Sequence, residues 1–252
     1  EKQHTTEDNE NGQPKRSNVW VNAKAKNTFT FDASKAPDLI NINADGILVA
    51  EIMETKTPEQ SLIQFSNSKE FVSRYKALSA IKDADAKNPA VVKLLATALK
   101  DPFYRLREQA LNQIDLTNAD QAKALTAEVE KLASNDPKTL VQAAAISALA
   151  KTKNAKYSSL FEKGMNAVSN AVKGSSLAGI ADLDPSKVAT LADKIDLENA
   201  SEDLISKLLP IIVKNKIEKQ MPAIGTTVAF YPFIKFQDPV LGKSAEEGYS
   251  WI

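Results

Sequence analysis

The sequence contains no cysteine, which removes disulfides, thiolate metal sites and thiol nucleophiles together. It contains a single histidine, His4, in a polar N-terminal stretch. A zinc helix of the HExxH type needs two histidines one turn apart, so the chain holds no such helix. Glycine is sparse, with eight residues at 12, 46, 164, 174, 179, 225, 242 and 248. No three of them fit GxGxxG, and no GxxxxGK loop exists, so the common dinucleotide and nucleotide cradles are missing. No GxSxG elbow occurs, and His4 is a poor partner for any serine nucleophile. An excess of one charge is also lacking, because 32 Lys and Arg balance 32 Asp and Glu. A balanced chain lacks the long-range field that draws nucleic acid or anionic lipid, so neither nucleic acid nor a membrane is an expected partner. No run approaches 18 consecutive apolar residues, which excludes a spanning helix.

The closest acidic pairs, Glu246–Glu247 and Asp182/Asp184, read as surface or capping features rather than an acid–base couple. We therefore assign no catalytic, cofactor-binding or metal-ligating residue in this chain. The first residue is Glu1, and no basic-then-apolar leader follows it. The expectation is a processed or cloned piece of something longer.

Four stretches differ in composition. Residues 1–17 hold no Val, Ile, Leu or aromatic residue and are expected to be a disordered tail or the tip of a hairpin at Asn11-Gly12. Residues 18–56 alternate with period two and are expected to form strands near 18–24, 27–32, 38–44 and 47–53, with Asp45-Gly46 turning into the last. These would be the end of a β-sandwich. Residues 57–217 carry helical periodicity and marked helix starts. Thr57-Pro58-Glu59-Gln60 spells a capping box with Pro at the first helical position, and Asn88-Pro89, Asp101-Pro102, Asp136-Pro137 and Asp184-Pro185 repeat the cap-plus-Pro device. Residues 218–252 hold Phe230, Tyr231, Phe233, Phe236, Tyr249 and Trp251, six of the chain's aromatics, and are expected to cap the helical region of 57–252, with a docking patch for another domain as the alternative. Pro222, Pro232 and Pro239 argue against one long helix there.

The helix starts carry an internal repeat. DPFYRLREQALNQI (101–114) aligns with DPKTLVQAAAISAL (136–149) at an offset of 35, matching Leu106/Val141, Ala110/Ala145, Leu111/Ile146 and Ile114/Leu149. SRYKALSAI (73–81) places Arg74, Ala77, Leu78 and Ile81 against Arg107, Ala110, Leu111 and Ile114 at an offset of 33. A weaker copy, VKGSSLAGI (172–180), follows. A helix pair recurring every 30-odd residues predicts a mainly α fold, a HEAT/armadillo-like α-solenoid preceded by a short antiparallel β region. Gly164, Gly174 and Gly179 weaken the last copy, since each helical Gly costs about 1 kcal/mol relative to Ala.

KLLATALKDPFYRLREQALNQI (93–114) resembles a HEAT repeat, whose second helix opens with Asp-Pro and carries Val/Leu-Arg, then Ala and Leu. A broader resemblance covers about residues 18–250. TFTFDASKAPDLININADGILVAEI, a capped helix and then SNSKEFVSRYKALSAI resemble the junction between the small β-sandwich and the C-terminal helical domain of aminopeptidase-N-like zinc metallopeptidases. Phe29, Phe31, Pro37, Asp45, Gly46 and Glu51 stand at matching places. The family's N-terminal β-domain, its GxMEN loop and its HExxH with a distant Glu do not occur here, so no catalytic or zinc-binding residue carries over. The resemblance implies a parent metallopeptidase with zinc in a catalytic domain outside this chain, whose active site this helical end covers. The partners it implies are that catalytic domain of the same polypeptide and a peptide substrate. A free-standing HEAT-type module that binds a protein or peptide is the alternative. A self-contained hydrolase working through surface carboxylates is a third. Arg105 and Arg107 on the best repeat are placed to meet a carboxylate in the groove, or else to pack their stems on the surface and pair with Asp or Glu between repeats.

Overall fold

The computed structural model describes residues 2–10, 13–22, 26–32, 35–44, 52–196, 202–229 and 239–251. Within them the chain is mainly helical, and it divides into two compact units, residues 1–113 and 114–252. The change from strand to helix expected near residue 57 falls inside the first unit, which holds both kinds of structure.

The first unit opens with an antiparallel sheet of order β2-β1-β3, formed by β1 (Lys2–Glu10), β2 (Gln13–Val21) and β3 (Leu39–Ile42). Glu10 lies opposite Gln13, and Asn9 opposite Leu39. Residues 2–10 are thus a central strand and 13–17 the start of its antiparallel partner, a pairing that agrees with the hairpin expected about Asn11-Gly12 and not with a disordered tail. A ladder needs only backbone groups, so β1 forms without a single large apolar side chain. Asn11 and Gly12, the expected turn, lie outside the described residues, as do Asp45, Gly46, Glu51 and nearly all of the expected 47–53 strand. The strand expected over 18–24 instead spans 13–21, and the one expected over 27–32 is not formed. Asn27 Nδ2 donates to the Asn22 carbonyl at 3.0 Å, and Asn22 N–H donates back to Asn27 Oδ1 at 3.1 Å. Phe29 and Phe31 stand exposed.

Four helices complete this unit: α1 (Pro58–Asn67), α2 (Phe71–Ser79), α3 (Pro89–Ala98) and α4 (Tyr104–Gln113). The capping box at α1 is closed, Gln60 N–H donating to Thr57 Oγ1 and Thr57 N–H to Gln60 Oε1. Asn88 caps α3 through Ala90 N–H at 2.7 Å, with Pro89 at the first helical position. Helix α1 packs on α2, α3 and β3, and α4 packs on α2 and α3. Leu78, Leu94, Leu95, Leu99 and Leu106 lie fully buried among them. Burying each leucine stabilises the fold by about 1.5–3 kcal/mol.

The second unit contains α5 (Ala119–Asn135), α6 (Thr139–Ala150), α7 (Ser158–Gly164), α8 (Asn170–Leu183), α9 (Val188–Ala192), α10 (Glu202–Lys214), α11 (Met221–Ala229) and a C-terminal helix, Pro239–Trp251. Helix α6 is apolar around most of its circumference and packs on both α5 and α8, as such a helix must. Helix α8 packs on α6, α7, α9 and α10. Gly164 at the end of α7 and Gly174 and Gly179 of α8 are close-approach positions. A Cβ on Gly174 would overlap Leu204 of α10, one on Gly164 would overlap Ser176, and one on Gly179 would stand 2.7 Å from the Phe161 ring. At Gly179 the propensity lost is offset by close packing on the rigid Phe161 ring, whereas at Gly174 only the tip of the flexible Leu204 side chain stands in the way. Of the C-terminal aromatics, Tyr249 is exposed and Trp251 half-buried, while Phe230, Tyr231, Phe233 and Phe236 lie outside the described residues. No helix among the described residues is long and apolar enough to cross a membrane.

Candidate functional site

Two of the three Asp-Pro steps do not start their helices in the expected way. Asp101 Oδ1 accepts from Phe103 N–H at 2.8 Å, and Asp136 Oδ1 accepts from Lys138 N–H at 2.8 Å. Each makes a tight turn with Pro102 or Pro137 inside it, and the regular helix begins two residues after the proline. Asp184 differs: it accepts from Ser186 N–H at 3.2 Å and caps a 3-10 turn with Pro185 at its first position, which runs on into α9 as the cap-plus-Pro pattern predicts. At Asp101 and Asp136 the proline sits in the tight turn rather than at the first helical position.

Both turns are closed from the next helical turn. Arg107 Nη1 donates to the Asp101 carbonyl at 2.8 Å and the Pro102 carbonyl at 3.1 Å, and Gln142 Nε2 donates to the Asp136 carbonyl at 2.6 Å. Positions 107 and 142 are equivalent in the 35-residue alignment. So are the buried pairs Leu106/Val141, Ala110/Ala145, Leu111/Ile146 and Ile114/Leu149, each at most 2% exposed. The third copy buries Ala77, Leu78 and Ile81 likewise, and its Arg74 guanidinium donates to the Asp101 carboxylate. Arg107 is therefore a buried tie across its own turn, neither groove-facing nor a surface residue. Arg105 is the exposed one, paired with Glu108 of the same helix at 3.2 Å and lying 5.1 Å over the Tyr104 ring.

Beside the Asp101 turn the first unit carries an aromatic patch. Phe71, Tyr75 and Phe103 are 38%, 46% and 40% exposed. Phe103 meets Phe71 edge to face, with centroids 4.9 Å apart, and Tyr104 at 5.4 Å. Phe71 and Tyr75 are one helical turn apart on α2, with centroids at 5.7 Å. The equivalent positions after Asp136 are Lys138, Thr139 and Leu140. The repeat does not require aromatics there, and exposed aromatic clusters mark interaction surfaces. Sequence reasoning passed over this patch because its members come from two copies of the repeat and meet only in the fold. The signal available was the run Phe103-Tyr104 at solvent-facing positions of an otherwise well-patterned helix.

In the second unit, Lys156 Nζ and Tyr157 Oη both donate to Glu130 Oε1, at 2.9 and 2.8 Å. Lys156 first and Tyr157 second hold the Glu130 carboxyl below the ordinary glutamate range, and burial pushes the Tyr157 hydroxyl up. Of the other residues weighed from sequence, His4 stands in β1 opposite Val19, Asp182 is exposed, Asp184 caps Ser186, and Glu246 and Glu247 are exposed on the C-terminal helix. These carboxylates are not brought together. Among the described residues no group of three or more His, Cys, Asp or Glu is placed to hold a metal ion. A scan of protein families finds no match to the chain, and a search of curated proteins finds none.

Proposed function

We propose that the chain is a non-catalytic, HEAT-like helical module at the C-terminal end of an aminopeptidase-like zinc metallopeptidase, where it limits substrate access to an active site on another domain of the same polypeptide. The observation that carries the repeat is the buried aspartate turn, closed from position 107 in one copy and 142 in the next, with the same four buried positions behind each. Supporting the parent is the sequence of the β-to-helix junction, with Phe29, Phe31 and Pro37 ahead of the capped helix at Thr57. Such a module contributes positioning and exclusion of water rather than chemistry.

The test has two parts. The coding sequence upstream of Glu1 is read first, and the proposal requires an HExxH helix with a distant Glu. The whole polypeptide is then assayed on a dipeptide and on a nine-residue peptide, as wild type and as Phe103→Ala. A shift in the ratio of the two rates supports the role. An upstream sequence without HExxH ends it. The aromatic patch specifically favours a second reading, a free-standing HEAT-type module that holds a protein or peptide on Phe71, Tyr75 and Phe103.

A further inference from the structure

A cleft of about 300 Å³ lies in the first unit between the extended segment at 52–56 and helices α1 and α2, lined by Glu54, Lys56, Gln64, Tyr75, Lys76 and Ser79 among others. Its volume sits at the lower end of small-molecule sites. At its floor is Gln64, only 1% exposed. The amide orientation is fixed, because Gln64 Nε2 donates to the Ser73 carbonyl at 2.8 Å, and a carbonyl can only accept. Gln64 Oε1 is consequently an acceptor, and it has no partner. A buried acceptor without a donor is costly, and native folds rarely leave one.

One wall is charged. Glu54 Oε2 accepts from Lys56 Nζ at 2.8 Å, and both side chains are largely buried. Glu54 Oε1 accepts from Ile42 N–H at 3.3 Å. Each carboxylate oxygen has a second lone pair, so acceptor capacity remains there. On the other side Lys76 is half-buried, and its ammonium has no carboxylate partner among the described residues. Ser79 accepts from Gln109 Nε2 at 2.8 Å. The cleft thus offers acceptors at its floor and one wall, a cation at the other, and the Tyr75 ring at its mouth.

We propose that this cleft binds a free α-amino acid. Its ammonium group donates to Gln64 Oε1 and Glu54, its carboxylate meets Lys76 Nζ, and its side chain lies against Tyr75. This reading stands apart from the metallopeptidase parentage, since it concerns only residues 42–79.

The full 252-residue chain is titrated by calorimetry and by amide chemical shifts with free leucine and alanine, with N-acetyl-leucine and with leucine amide. Saturable binding of a free amino acid is expected, about tenfold or more weaker for the acetylated and the amidated forms, because each loses a charged hydrogen-bonding end. Lys76→Met keeps the apolar stem. It should weaken the free amino acid about tenfold while leaving leucine amide unchanged. Gln64→Leu removes the acceptor and serves as a second variant where its circular dichroism matches wild type. No saturable binding of any amino acid up to tens of millimolar would mean a cleft filled by water only and overturn the proposal, as would a Lys76→Met affinity equal to wild type. Preferred binding of short peptides over free amino acids would overturn the choice of ligand.

Discussion

The Asp101 turn joins two jobs in one carboxylate, and substitution can separate them. Asp101 caps the approach to α4 through Phe103 N–H and accepts the Arg74 guanidinium, with the two side chains 3% and 16% exposed. Removing a helix-cap acceptor costs about 1 kcal/mol. Breaking a buried pair from one side costs about 3–5 kcal/mol, and the partial exposure of Arg74 places this pair at the lower limit. Asp101→Ala is therefore expected to destabilise the first unit by about 4 kcal/mol. Asp101→Asn keeps the cap acceptor and removes the charge, so it should cost about 3 kcal/mol. Arg74→Met leaves the Asp101 carboxylate buried but still accepting from Phe103 N–H, for about 2–3 kcal/mol. Because the two residues touch, the double variant should recover about 2 kcal/mol relative to the sum of the singles. The assay is urea denaturation followed by circular dichroism at 222 nm, fitted to allow separate transitions for the two units. A coupling below about 0.5 kcal/mol, the scatter expected for independent sites, would refute the claim that the pair acts as a unit. An Asn variant as damaging as Ala would refute the division between cap and charge.

Four further outcomes follow from packing and titration. Gly179→Ala brings a methyl group to 2.7–2.9 Å of the fully buried Phe161 ring and should destabilise by about 1–3 kcal/mol in spite of the better helix former. Gly225→Ala, on α11 with nothing within 4 Å of the new Cβ, should stabilise by about 0.5–1 kcal/mol, and a melting temperature that falls would contradict the open space there. Glu130 has its carboxyl pKa depressed in the fold, so its contribution is present at neutral pH and is lost as the pH falls through the folded-state pKa. Its side chain is 41% exposed, so the contribution is below about 1 kcal/mol, and Glu130→Gln should make stability less dependent on pH between 7 and 3. An unchanged pH profile would remove Glu130 from the acid response. Phe103→Ala, at an exposed ring, should lower stability by less than about 1.5 kcal/mol, so a loss of partner or substrate discrimination in that variant reports on the surface and not on folding.

Where the sequence was legible, one local rule dominated. The capping box at Thr57 and the Asn88-Pro89 start depend only on neighbouring residues and form as expected. The buried positions of the 101–114 and 136–149 copies follow from helical periodicity alone. The rest depended on contacts between distant residues. Residues 2–10 look unstructured by composition, yet they pair on both edges, because backbone ladders are blind to side-chain polarity. TFTF alternates like a strand, but it pairs with no strand among the described residues and leaves Phe29 and Phe31 exposed. Gly164, Gly174 and Gly179 read as weaknesses in a helix until Ser176, Leu204 and Phe161 are seen against them. Arg107 resembled a surface arginine because nothing local signals that its Nη1 reaches the Asp101 and Pro102 carbonyls.

The paired turns at Asp101 and Asp136 separate what the fold needs from what it leaves free. The carbonyl of each buried aspartate must find a donor before the helix can accept its own, and either Arg107 or Gln142 can supply it, since both reach one helical turn back with an N–H. Identity at that position is therefore set by reach and donor count, not by charge. The three residues after the proline obey no such demand: Phe103, Tyr104 and Arg105 in one copy stand where Lys138, Thr139 and Leu140 stand in the other. A fold that tolerates both sets gains little from exposing Phe103 beside Phe71, so the aromatic cluster needs a reason outside the packing of its own helices. Exchanging 103–105 for Lys-Thr-Leu tests that separation directly. Stability should hold within about 1.5 kcal/mol, as for surface changes that remove only half-exposed rings, while any activity carried by the patch disappears.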